Sequence, residues 1–188
     1  MKRAVLWLVP LLAAPLPYSS YAEYQSAKRK FAQIESERLR PGSRVSLTAA
    51  ELESYAMEEM KRAGFQGLRQ PRVELGWDTA SGSALIDFNK IRRAQGKEPN
   101  WLMAKLFSGE RPVKVTARVQ SAHYKATIKV QRVEVSGMAV EGRLLDFLID
   151  HYLRPNYPEA KVGEAFELGH RIERLEVQPG AVSLVIGR

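Results

Sequence analysis

The sequence predicts an α+β fold: a curved antiparallel sheet of successive hairpins, wrapped around or packed on amphipathic helices. Two patterns carry that expectation. Short runs of alternating apolar residues follow one another with turn residues between them, as hairpin-connected strands require. Three other segments repeat their apolar residues at helical spacing. The 188 residues include no Cys, so apolar burial alone must hold the fold together. A chain of this length can do that as one domain.

The N-terminus carries a targeting pattern. Lys2 and Arg3 precede an apolar run from Ala4 to Val9 that resumes at Leu11, Leu12, Ala13, Ala14 and Leu16. Ser20 and Ala22 supply the small residues that a signal peptidase reads. Residues 1–22 are therefore expected to be a cleaved signal peptide and residues 23–188 a single α+β domain, periplasmic or secreted. An uncleaved anchor is the competing reading. The run is broken by Pro10, Pro15 and Pro17 and is shorter than the roughly 20 residues of a membrane-spanning helix.

In the expected domain, residues 23–40 form an N-terminal helix with Ala27, Phe31 and Ile34 on one face, stopped at Pro41 and Gly42. Val45 and Leu47 mark a short strand. Thr48 and Glu51 then form a capping box, in which each side chain bonds the other residue's amide. The helix it opens carries Leu52, Tyr55, Ala56, Met60 and Ala63 as its apolar stripe and ends at Gly64. Val73, Leu75 and Trp77 alternate as a strand, residues 78–82 turn, and Ala84, Ile86 and Phe88 alternate as the next. Val113, Val115, Ala117 and Val119 follow, with a turn at 121–125. Ile128 and Val130 then change parity with Val133 and Val135, which predicts a bulge at Gln131 and Arg132. Residues 140–153 read as a helix apolar over more than half its circumference, the filling of the sheet's curve. Ile172, Leu175 and Val177, a Pro179-Gly180 turn, and Val182, Leu184 and Ile186 close the chain as a hairpin. Helix-then-hairpin at 52–88 and again at 144–186 hints at an internal duplication.

No catalytic motif emerges. His123, His151 and His170 are far apart and none has a ligand partner at i+2 or i+4, so neither a metal site nor a cofactor is expected. Nucleophile elbow, dinucleotide-binding and phosphate-binding glycine signatures are missing from the sequence. Asp146 and Asp150 lie one helical turn apart, a spacing that more commonly faces solvent beside Arg143 and Arg154. The formal charge of +8 is scattered along the chain. In an exported protein it points to an anionic surface rather than to nucleic acid.

Residues 99–109 concentrate Trp101, Leu102, Met103, Leu106 and Phe107 near Arg92, Arg93, Lys97 and Lys105. Two readings compete: an apolar lip with a basic rim that meets a bilayer or guards a ligand groove, and a short plug for the end of the core. Tyr152, Tyr157 and Phe166 around Pro155 and Pro158 read as structural cover for the chain leaving the helix.

The signal, the segment Val45-Ser-Leu-Thr-Ala-Ala-Glu-Leu-Glu-Ser-Tyr55, the repeated hairpins and the long apolar helix together resemble small exported bacterial proteins of the tubular lipid-binding (TULIP-like) kind. That resemblance implies a strongly curved sheet around a helix, with an apolar cavity for a lipid or isoprenoid tail. Two functions follow as expectations. One is a non-enzymatic envelope protein that binds a lipid-like ligand through Trp101, Leu102, Phe107, Leu145, Phe147 and Leu148, with Arg92, Arg93 and Lys97 as an anionic-surface contact. The other is an envelope adaptor that binds protein or wall polymer through a basic surface.

Overall fold

The computed structural model describes residues 21–62, 67–94, 96, 108–150 and 163–188. Of the expected signal segment only Tyr21 and Ala22 fall within that description, and they open the first helix. Four helices and nine strands occur among the described residues: α1 (Tyr21–Glu35), β1 (Arg44–Thr48), α2 (Ala49–Arg62), β2 (Leu68–Gly76), β3 (Thr79–Ile86), α3 (Phe88–Ala94), β4 (Arg111–Ala122), β5 (Lys125–Val135), β6 (Met138–Ala139), α4 (Gly142–Leu148), β7 (Ala165–Glu167), β8 (Ile172–Gln178) and β9 (Ala181–Ile186). The fold is α+β with antiparallel pairing throughout and an unclosed, curved sheet.

The strands form two sheets, one three-stranded in the order β1-β9-β8 and one six-stranded, running β2-β3-β4-β5 with β6 and β7 both along the far edge of β5. The first sheet joins the two ends of the chain, Val45 pairing with Leu184 and Leu47 with Val182. The helices α1 and α2 cover it. Ala27, Ile34, Val45, Leu47, Ile172, Leu184 and Ile186 form this core, with Phe31, Leu52 and Tyr55 packed against it. The second core lies on the larger sheet, where Phe88 of α3 and Leu148 of α4 meet Val113, Val133 and Val135. The hinted duplication is not a structural repeat, because β8–β9 pairs with β1 whereas β2–β3 belongs to the other sheet.

Backbone hydrogen bonds join the sheets. The outer edge of β8 would otherwise expose unpaired amides and carbonyls. The two hairpin tips of the larger sheet satisfy it: Asp78 N–H donates to Val177 O at 3.1 Å and Tyr124 N–H to Glu173 O at 2.8 Å. Ser121 Oγ accepts the Leu175 N–H at 2.8 Å.

Local signals explain most elements. The capping box is formed, with Thr48 N–H donating to Glu51 Oε2 at 2.8 Å and Glu51 N–H to Thr48 Oγ1 at 3.2 Å. The bulge falls where the parity changes: Thr116 pairs with Arg132 and Ala117 with Val130, leaving Gln131 as the extra residue. The β4–β5 turn is His123-Tyr124, both at positive φ, the backbone twist that two-residue hairpins favour.

Several boundaries differ from the sequence reading. The first helix stops at Glu35 rather than near Pro41, because Glu37 turns left-handed at φ 55. The β2–β3 turn is Trp77-Asp78 alone, with Gly76 opposite Thr79. Trp77 therefore leaves the strand and is 71% exposed, while residues 79–82 belong to β3. Phe88 starts α3 instead of ending a strand, because Asp87 Oδ1 caps the Lys90 N–H at 3.0 Å. In α4, Leu148 is buried but Leu144 is 41% exposed. The described part of that helix therefore lies on the sheet by one face and is not engulfed by it. Residues 151–153 of the expected helix, and the Gly64 stop, lie outside the described residues.

Candidate functional site

Cross-strand register divides the larger sheet into two faces, since residues directly opposite on antiparallel strands point the same way. On the inner face, Val73, Gly82, Val115 and Val133 form one row across four strands, and Leu75, Ala80, Ala117 and Val130 the next. Ala84, Val113 and Val135 form a third, and Leu68, Ile86 and Arg111 a fourth. Apart from Arg111 these rows are apolar. α3 and α4 close the end near Val113 and Val135, where Phe88 and Leu148 are buried. Away from that end the face is only half-buried, and Gly82 is exposed.

Side-chain size gives this face its relief. Along β3 the inner residues are Ala80, Gly82 and Ala84, while β2 contributes Val73 and Leu75 and β4 contributes Val113 and Val115. Small side chains between larger ones leave a trough along β3. A Cβ built on Gly82 meets no atom within 4 Å, so the floor of the trough is open. Near one end stands Arg111, whose Nε is buried without a hydrogen-bond partner. Such a donor costs free energy until an acceptor reaches it.

A smaller cavity of about 160 Å³ lies between the β5 bulge and the start of α4, lined by Gln131, Arg132 and Glu141 as well as by Val130, Val133 and Leu145. Leu145, one of the sequence-predicted ligand residues, thus lines this cavity. Phe147 is half-buried against the same core and Leu148 is built into it. Arg92 is half-buried and Arg93 exposed at the end of α3. Trp101, Leu102, Phe107 and Lys97 lie outside the described residues, as do Tyr152 and Tyr157.

The outer face is polar. A cleft of about 310 Å³ there is lined by Gln70, Arg72, Ser83, Lys114 and Glu134 among others. Its charges are mutually satisfied: Lys114 pairs with Glu74 at 2.7 Å, Arg72 with Glu53 at 3.3 Å and Arg132 with Glu134 at 2.5 Å. Another groove of about 300 Å³ runs between α2 and β2 past Met57, Met60, Leu68 and Pro71. Its rim cations Lys61 and Arg69 are taken by Glu58 and Glu110.

No group of three or more His, Cys, Asp or Glu side chains among the described residues could hold a metal ion. His123 sits in the β4–β5 turn, and His170 Nδ1 is 3.4 Å from Glu37 Oε1. No helix of the described residues is long and apolar enough to cross a membrane. No protein-family model matches this chain, and no curated protein matches it.

Sequence reasoning missed Arg111, which reads as one more polar residue beginning a strand. Its position in register with Ile86 becomes visible only once β3 and β4 are paired.

Proposed function

We propose that this is an exported, non-enzymatic binding protein of the cell envelope, and that it holds a lipid-like molecule along the inner face of its larger sheet. The apolar tail lies in the trough over Ala80, Gly82 and Ala84, and an anionic or polar head group satisfies Arg111. The observation that carries this reading is the open floor at Gly82 within a face that is apolar on four strands. Folded chains bury faces of that composition unless something else covers them. The unpartnered Arg111 Nε supports the position of the head group, since guanidinium suits carboxylate and phosphate oxygens. The basic n-region and apolar run of residues 2–16 support export.

Native mass spectrometry of protein purified from its own envelope fraction tests the reading. The expected result is a retained adduct of lipid mass that is depleted in Arg111→Gln. A bare polypeptide mass, with no lipid in a solvent extract of the same preparation, contradicts it.

A further inference from the structure

The outer face of the larger sheet has two halves of different electrostatic character. In the half nearest the cleft every cation has a carboxylate: Lys114 with Glu74, Arg72 with Glu53, Arg132 with Glu134. In the half toward the hairpin tips that matching stops. Arg118 on β4 stands directly opposite Lys129 on β5, both exposed and neither in an ion pair. Like charges directly opposite on neighbouring strands are destabilising, so this pair is a cost that the fold alone does not explain. Lys125 continues the same face of β5 two pairs further on, opposite Glu167 of β7 without an ion pair between them.

Trp77 lies at the same end of the sheet as this pair. It occupies the β2–β3 turn, whose following residue, Asp78, accepts the Val119 N–H at 2.9 Å through its carbonyl, next to Arg118. Thr79, two residues on, is the cross-strand partner of Arg118. Asp78 brings the one nearby carboxylate of this turn and forms no ion pair. An indole 71% exposed at a hairpin tip contributes nothing to either core. Trp side chains prefer the boundary between water and lipid head groups, where the ring is half-solvated and its N–H can still bond.

We propose that Trp77, Arg118 and Lys129 form a docking surface for an anionic phospholipid bilayer. The indole enters the head-group layer, and the two cations, held together by strand pairing, contact lipid phosphates. Anionic charge under both cations converts their mutual repulsion into shared attraction, which the bare protein lacks. Arg118 and Lys129 are on the opposite face of the sheet from the trough, and the proposal does not depend on the ligand-binding reading.

Sedimentation with phosphatidylcholine vesicles, with and without phosphatidylglycerol, tests it. The wild-type protein is expected to bind only the anionic vesicles, less tightly as salt rises. Arg118→Gln/Lys129→Gln should weaken binding about 30-fold, the combined effect of two basic side chains at an anionic surface. Arg92→Gln/Arg93→Gln removes the same charge from α3 and should have little effect. The blue shift of tryptophan emission on binding should be lost in Trp77→Phe. Far-UV circular dichroism of these surface variants should match the wild type. Equal weakening by the two double variants would reduce the effect to net charge and overturn the proposal. So would binding to heparin but not to vesicles, or a blue shift that survives in Trp77→Phe.

Discussion

Lys30 Nζ lies 2.6 and 2.8 Å from the two carboxylate oxygens of Glu51, so the residue that closes the capping box of α2 also ties α2 to α1. Glu51 is 5% exposed and accepts a third bond from Ser26 Oγ at 2.6 Å and a fourth from the Thr48 N–H. Burial by itself would raise its pKa. The bonds from Lys30, Ser26 and Thr48 outweigh burial and hold the carboxyl below its ordinary value of 4.5. One side chain thereby fixes the start of a helix and the packing of two.

Glu51→Gln should destabilise the protein by about 2 kcal/mol near neutral pH, the scale of hydrogen bonds to a charged group. A carboxyl with a depressed folded-state pKa contributes stability that is complete above its unfolded value and is lost as pH falls through the folded one. The gap between wild type and Glu51→Gln should therefore narrow below about pH 4. Urea midpoints measured across that range check both parts, and a gap independent of pH would contradict the assignment.

Ser54, one turn on from Glu51, is 3% exposed and its Oγ has no hydrogen-bond partner. Ser54→Ala removes an unsatisfied buried hydroxyl. It should leave stability unchanged or raise it by up to about 1 kcal/mol, whereas a marked loss in the thermal midpoint would reveal a partner for that oxygen.

Gly67 and Gly42 both have positive φ, but their surroundings differ. A Cβ on Gly67 would lie 2.9 Å from both Asp87 O and Ile91 Cγ1, and one on Gly42 would meet nothing within 4 Å. Gly42→Ala should cost about 1 kcal/mol from backbone conformation alone. Gly67→Ala adds a backbone clash and should cost clearly more. Equal costs would mean that α3 does not pack on the start of β2 as described.

The orientation of α4 is tested by two leucines. Leu148, 9% exposed, should cost about 2–3 kcal/mol when truncated to Ala. Leu144, on the solvent side, should stay within about 0.5 kcal/mol. A reversed order would place the other face of the helix on the sheet.

Local chemistry made much of this fold legible. The Thr48–Glu51 box, the parity change at Gln131 and the Pro179-Gly180 turn are decided by residues a few positions apart, and each occurs where its pattern stands. Trp77 misled because it continues the alternation of Val73 and Leu75, and the turn it occupies contains neither Gly nor Pro. Asp78, left-handed at φ 50, closes that turn instead. The division into two sheets left no local trace, since β1 finds β9 across most of the chain. The candidate site was legible only in part, through the alternation of Ala84 and Ile86 and the apolar residues of α4. The trough depends on which small residues stand beside which large ones, and that is set by strand register.

The central claim is that an apolar ligand occupies the trough, and neighbouring residues on opposite faces of β3 test it most directly. Gly82→Phe fills the trough from its open floor, while Ser83→Phe places the same ring on the outer face. Titration with an environment-sensitive apolar fluorophore should give saturable binding to the wild type and to Ser83→Phe, and binding at least about tenfold weaker to Gly82→Phe, the loss of a small part of a ligand's apolar contact. Equal binding by the two variants, or no saturable binding by the wild type, would contradict the account.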